Sequence, residues 1–213
     1  MTSRIRLGAI FWLLTIEFFI TQFAAQAAWP VYSAIDLDIS LLGLNACDGP
    51  DPNAVALNCS PLNLVFNGGM ILNGILVALG VWFTRTLWPR SVLTTTALSL
   101  LAIGGGGGSI LVGLFPFNVN MPMHTAGALL ALFVACFGIA LMGGALWRTH
   151  RAFAIYGMAT AAIGLVAFLL YALELYLGIG RGTMERIAAW PHTVWYMVTG
   201  ALILRGYFKP SAW

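Results

Sequence analysis

The chain has 213 residues, of which 60% are hydrophobic and 8% charged, with a formal net charge of +3 and a mean hydropathy of +0.89. Soluble domains carry about 25% charged residues. This composition therefore excludes a soluble globular domain, a disordered chain and a nucleic-acid binder, and leaves a polytopic, all-α membrane protein.

A helix crosses the hydrocarbon core in about 20 apolar residues. Six stretches meet that length, at residues 7–29, 62–83, 92–114, 124–147, 152–178 and 191–208, within a single domain spanning 1–213. The runs are continuous and do not alternate with period two, so a β-barrel reading fails. The first stretch follows Arg4 and Arg6 and ends in Ala24-Ala25-Gln26-Ala27-Ala28, which resembles a signal-peptide cleavage site. Its length and the charge of Glu17 at its centre favour a retained spanning helix. Thr21 shares a face with Glu17, and a structural hydrogen bond is the expectation there.

The first loop, Pro30–Pro61, holds Cys47 and Cys59, whereas Cys136 lies alone in the fourth stretch. Two cysteines on an oxidising side form a disulfide, and closing a loop of this size is worth about 3 kcal/mol in the chain-entropy model. The loops after the second and fourth stretches are short and arginine-tipped. With the N-terminus inside, Arg4, Arg6, Arg85, Arg90, Arg148, Arg151, Arg205 and Lys209 are cytoplasmic, and only Arg181 and Arg186 are outside. By the positive-inside rule both termini are cytoplasmic, in a multi-pass protein of the plasma (inner) membrane. Trp12, Trp29, Trp82, Trp88, Trp147 and Trp190 lie near span ends and read as an interfacial aromatic belt. Gly104–Gly108 in the third stretch reads as a close helix contact, with a local break as the alternative.

Polar groups inside a membrane are costly and mark candidate sites. Here they gather toward the outer half. Asn63 and Asn67 share a face of the second helix. His124 opens the fourth, followed by small residues at Gly127, Ala128 and Ala131, so its side chain is expected to point into the bundle. Glu174 ends the fifth. His192, Trp195, Tyr196 and Thr199 share a face of the sixth, just after Glu185 and Arg186. The outer loops add Asp36, Asp38, Ser40, Asn118 and Asn120. The candidate ligand-binding set is Asp38, Asn67, Asn118, His124, Glu174, Glu185, Arg186 and His192. Arg186 and the amides would hold an anionic or sugar-like head group, and the aromatic face of the last helix its apolar part. His124, His192 and Glu174 are also a possible zinc set, with Asp38 or Glu185 as general base, although no compact ligand motif supports it. No phosphate loop, nucleophile elbow or dinucleotide fingerprint is present, and no cofactor follows from the sequence.

Several segments together resemble a known family. They are Pro30-Val-Tyr-Ser33 with Ile39-Ser-Leu-Leu-Gly43; Cys59-Ser-Pro61 with Asn67; Gly113-Leu-Phe-Pro-Phe-Asn118 followed by His124; and Gly182-Thr-Met-Glu-Arg186 with Trp190-Pro191. The chain resembles the bacterial and archaeal membrane proteins of domain-of-unknown-function family 998, over about Pro30 to Gly206. Where the family has aspartate within its I-S-D-L-G element, this chain has Leu41, with Asp38 three residues earlier. The resemblance implies a six-helix bundle and supports the outer-face residues without naming a reaction. Three readings stay open: binding of a lipid head group or small ligand at the outer leaflet, a metal-dependent intramembrane lipid hydrolase, and an accessory subunit of a membrane complex.

Overall fold

A computed structural model describes residues 2–47 and 58–208. Six helices are long and apolar enough to cross a membrane: α1 Ser3–Ala28, α2 Asn63–Thr84, α3 Val92–Leu114, α4 Met121–Leu146, α5 Arg151–Ala172 and α6 Arg181–Leu204. The fold is an all-α bundle. Each helix packs against the next in sequence, and α6 closes back on α1. The short turns at 85–91 and 147–150 enforce this antiparallel neighbour order. Both termini thus lie at one end, here the near end. The 29–62 segment, the α3–α4 turn and the α5–α6 turn lie at the far end.

Two apolar clusters fill the bundle. Trp12, Val77, Leu101, Ile139, Trp195 and Ile203 pack in the near half, and Phe18, Trp29, Leu42, Phe66, Val112 and Leu132 in the far half. Trp12, expected in the interfacial belt, is instead fully buried. Its indole Nε1 donates to the Val77 carbonyl at 3.2 Å, and its ring lies 6.0 Å from Trp195. Exposed Trp82 and Trp147 do fit the belt. A break at Thr15–Ile16 divides α1, where the Thr15 hydroxyl donates to the Trp12 carbonyl at 2.7 Å.

The glycine run is both closely packed and locally irregular. Residues Leu101–Gly107 form a π-helical stretch facing a second one, Leu130–Val134, on α4. A Cβ on Gly108 would lie 2.5 Å from the Ala131 nitrogen and 2.7 Å from the Gly127 carbonyl oxygen. The two backbones therefore meet directly, as small residues permit in membranes.

At the far end, Cys47 and Cys59 form the expected disulfide, with Cα atoms 4.8 Å apart. Beside it, Asn45 bridges Cys59, and the Ser60 amide donates to the Leu44 carbonyl at 2.9 Å. These links tie the one-turn 3₁₀ segment Ile39–Gly43 to the start of α2. The sixth helix begins at Arg181 rather than Pro191. Pro191 sits inside it, because a spanning helix packed among neighbours tolerates the lost backbone hydrogen bond. The fifth helix correspondingly ends at Ala172 rather than residue 178. The shift puts Arg181, Glu185 and Arg186 on α6 itself.

Candidate functional site

The far end is built where segment 30–43 presses against the first two turns of α6. Gly180 adopts φ +89°, which favours glycine. Two residues on, a Cβ at Gly182 would lie 2.7 Å from the Ala34 oxygen and 2.8 Å from the Leu37 carbonyl carbon. Glycine at both positions lets the loop backbone touch the helix, and the Thr183 amide donates to the Ile35 carbonyl at 3.1 Å.

Two acids and two arginines occupy this contact. Both carboxylate oxygens of Asp38 lie 2.9 Å from Arg181 Nε, and the Tyr171 hydroxyl donates to Asp38 Oδ2 at 2.8 Å. Glu185, 5% exposed, accepts from the Ile39 amide and from the Ser40 hydroxyl at 3.0 Å. Below Ser40 and Glu185 is a cavity of about 50 Å³ walled by Phe18, Phe66, Met70 and Leu132. This apolar floor strengthens the hydrogen bonds above it.

Arg186, 6% exposed, donates from Nη1 to the Gly182 carbonyl at 2.8 Å and the Leu37 carbonyl at 3.2 Å, and from Nη2 to the Tyr32 hydroxyl at 2.6 Å. Tyr32 in turn donates to the Leu37 and Asp38 carbonyls, at 3.1 and 2.9 Å. Burial pushes the Tyr32 phenol up to about 12, against the pull of the Arg186 guanidinium. Among the described residues Arg181–Asp38 is the one ion pair. The hydrogen-bond acceptors of buried Arg186 are thus all neutral, its attraction to Glu185 acts beyond ion-pair distance, and its Nε has no partner.

That guanidinium lines an open groove of about 470 Å³ between the far ends of α1 and α6, with Phe23, Gln26, Thr183, Trp190 and Pro191. The Gln26 Nε2 is a second buried donor without a partner. Trp190 is fixed by donating to Gln22 Oε1 at 3.1 Å and by edge contacts with Phe19 and Phe23.

The other candidate residues lie elsewhere. Asn67 is buried and donates to the Gly43 carbonyl at 3.0 Å, holding the 3₁₀ segment on α2. His124 is buried as expected. Its Nδ1 lies 2.9 Å from the Phe115 carbonyl oxygen and its ring meets Phe117 edge-on, which secures the α3–α4 turn. Asn118 is exposed in that turn, and Glu174 is exposed at φ +59° after α5. His192 is buried two turns below Glu185, against Tyr196. Among the described residues no group of three His, Cys, Asp or Glu side chains is placed to hold a metal. His124, Glu174 and His192 therefore do not converge as zinc ligands. Reasoning from sequence did not single out Tyr32, Arg181 or Gln26. Tyr32 was within reach, because it sits in the Pro-Val-Tyr-Ser element that meets Arg186.

Replacing Tyr32 with phenylalanine leaves Arg186 Nη2 without its acceptor, so stability at pH 7 is expected to fall by about 1–2 kcal/mol. A raised phenol also means that the folded state keeps a proton the unfolded state releases above about pH 10. Stability is therefore lost as pH rises from about 10 toward 12, and Tyr32→Phe shrinks that loss. Thermal unfolding measured across pH 7–12 checks both signs.

The bundle, its loop-to-helix ionic cluster and the groove beside it define a six-helix, membrane-type protein with one polar end. The chain belongs to the family described as protein of unknown function, DUF998, whose model matches residues 13–202. No curated protein and no solved structure matches it.

Proposed function

We propose that this protein binds a lipid with an anionic head group at its far end, in the groove between α1 and α6. The observation that carries the reading is Arg186, a buried residue that lines the groove, with no carboxylate within ion-pair distance and a buried Nε that has no hydrogen-bond partner. A buried cation is expensive unless it is paired, and an anionic group gives this guanidinium a direct partner. Gln26 Nε2 and the Thr183 hydroxyl add donors, and Phe23 and Trp190 offer an apolar wall to the lipid's chains. Asp38 and Glu185 act one step back. They hold the 30–43 loop and the start of α6 in register, and so position Arg186.

The charge distribution orients the site. Among the described residues, Arg4, Arg6, Arg85, Arg90, Arg148, Arg151 and Arg205 lie at the near end and only Arg181 and Arg186 at the far end, which by the positive-inside rule makes the near end cytoplasmic. The groove then opens to the outer leaflet of a plasma membrane, on the oxidising side that suits the Cys47–Cys59 bond.

Native mass spectrometry of gently extracted protein tests this reading. Wild type is expected to retain an anionic phospholipid, and Arg186→Gln to lose at least tenfold in retention. Arg186→Lys, which keeps the charge without the fork, should fall between them. Equal retention by wild type and Arg186→Gln contradicts the proposal.

A further inference from the structure

A second groove lies at the opposite end, between the near ends of α2 and α3, with a volume of about 1190 Å³. Small-molecule sites usually enclose about 300–1,000 Å³, so an open trough of this size suits an elongated molecule better than a compact metabolite. Its walls combine two kinds of surface. Arg85 and Arg90 stand just beyond the apolar helices α2 and α3. The Arg85 guanidinium lies 3.6 Å from the centre of the Trp82 ring and donates to the Trp82 carbonyl at 3.0 Å. Deeper, Val81, Leu98 and Ala102 make an apolar lining.

Three features point to the occupant. First, neither arginine has an ion-pair partner among the described residues, and no acidic residue occurs in 1–6, 85–91, 147–151 or 205–213. Among the described residues, then, no acidic side chain pairs with the positive charge of the near end. Second, Thr95, Thr96 and Ser99 are exposed within the span, on a surface that would otherwise face acyl chains. Thr95 donates to the Ser91 carbonyl at 3.1 Å, whereas Thr96 and Ser99 have no hydrogen-bond partner among the described residues. Polar groups facing hydrocarbon are costly, and these hydroxyls sit about one to two helical turns deeper than the arginines, given a rise of 1.5 Å per residue. Third, the arginines stand beyond the helix ends, whereas the hydroxyls and the apolar Val81, Leu98 and Ala102 line the trough together within the spans. An anionic phospholipid likewise carries its phosphate outside the span and its ester oxygens and acyl chains within it.

We infer that this groove holds an anionic phospholipid of the leaflet bordering the termini. Its phosphate sits between Arg85 and Arg90, its ester oxygens meet Thr96 and Ser99, and its chains lie along Val81, Leu98 and Ala102. This site is separate from the Arg186 groove and stands whether or not that groove takes a lipid.

The test uses the full chain, delipidated in detergent and titrated with phosphatidylglycerol, phosphatidylcholine or inorganic phosphate under native mass spectrometry. Arg85→Gln with Arg90→Gln is expected to remove one phosphatidylglycerol per chain, with at least tenfold weaker retention, and to leave phosphatidylcholine unchanged. Arg186→Gln should keep that lipid. The arginine changes also alter a topogenic loop, so a second variant, Thr95→Leu with Ser99→Leu, narrows the trough and removes two hydroxyls without touching charge, and should shed the same lipid. Four results would overturn the inference: unchanged phosphatidylglycerol in either variant, equal loss of phosphatidylcholine, displacement by inorganic phosphate at millimolar concentration, or dissociation of a dimer by the trough-narrowing pair.

Discussion

Glu185→Ala is expected to destabilise the protein by about 2–4 kcal/mol. The carboxylate is the acceptor for two donors from the 30–43 loop, the buried Ile39 amide and the half-buried Ser40 hydroxyl. Leaving a buried donor without a partner costs about 1–3 kcal/mol. The cavity beneath is apolar, so water has little foothold from which to replace the lost bonds. In a chain of this length each kcal/mol moves the midpoint by about 2–4 °C, which places the fall in Tm between about 5 and 15 °C. Glu185→Gln keeps one acceptor oxygen and should recover much of it. Thermal unfolding in detergent separates the two. The loop should also become accessible to protease in the alanine variant, because Glu185 is one of its few anchors to α6.

The second large effect is expected in the glycine run, where neighbouring positions should behave in opposite ways. At Gly108 a Cβ meets the α4 backbone, which cannot swing aside as a side chain would. Gly108→Leu should therefore force α3 and α4 apart and cost more than about 3 kcal/mol, beyond ordinary overpacking. At Gly107 the nearest atom to a Cβ is the Ala102 oxygen, 4.0 Å away. Gly107→Leu should be neutral or slightly stabilising, since leucine is the better helix former. Fluorescence-detected size exclusion after a heating series reads both. Similar losses at the two positions would mean that the run is a flexible break rather than a packed seam.

The contrast between these glycines marks where reading the sequence succeeds and where it stops. The six spans were legible because hydrocarbon thickness sets a length that composition either meets or does not. The disulfide was legible because charge oriented the loop. The start of α6 was not, because Pro191 after a polar segment has the pattern of a helix N-terminus, and only packing against α5 and α1 shows that the helix continues through it. The burial of Trp12 was hidden for a different reason. Lipid and protein core are equally apolar, so a tryptophan near a span end gives no sign of which it faces. At the candidate site, Glu185 and Arg186 could be singled out as charges in a nearly uncharged chain. Their separate roles could not. One carboxylate is saturated by the loop while the adjacent guanidinium keeps a free nitrogen, and that difference depends on where Ile39, Ser40 and Tyr32 are carried by a turn of five residues. Gln26, four residues past Gln22 on the same face of α1, shows how a shared helical face can still divide its work. Gln22 accepts from Trp190, whereas Gln26 lines the groove with its buried Nε2 unpartnered.

The central claim is that an anionic lipid sits beside Arg186. Photo-crosslinking tests it most directly, using a phosphatidylglycerol that carries a diazirine near its glycerol backbone, incorporated with the wild-type protein in nanodiscs and mapped by peptide mass spectrometry. Labelling is predicted to concentrate in Phe23–Gln26 of α1 and Thr183–Trp190 of α6, and to disappear from both in Arg186→Gln. Labelling spread evenly over the lipid-facing helices, or unchanged in the variant, would contradict the claim.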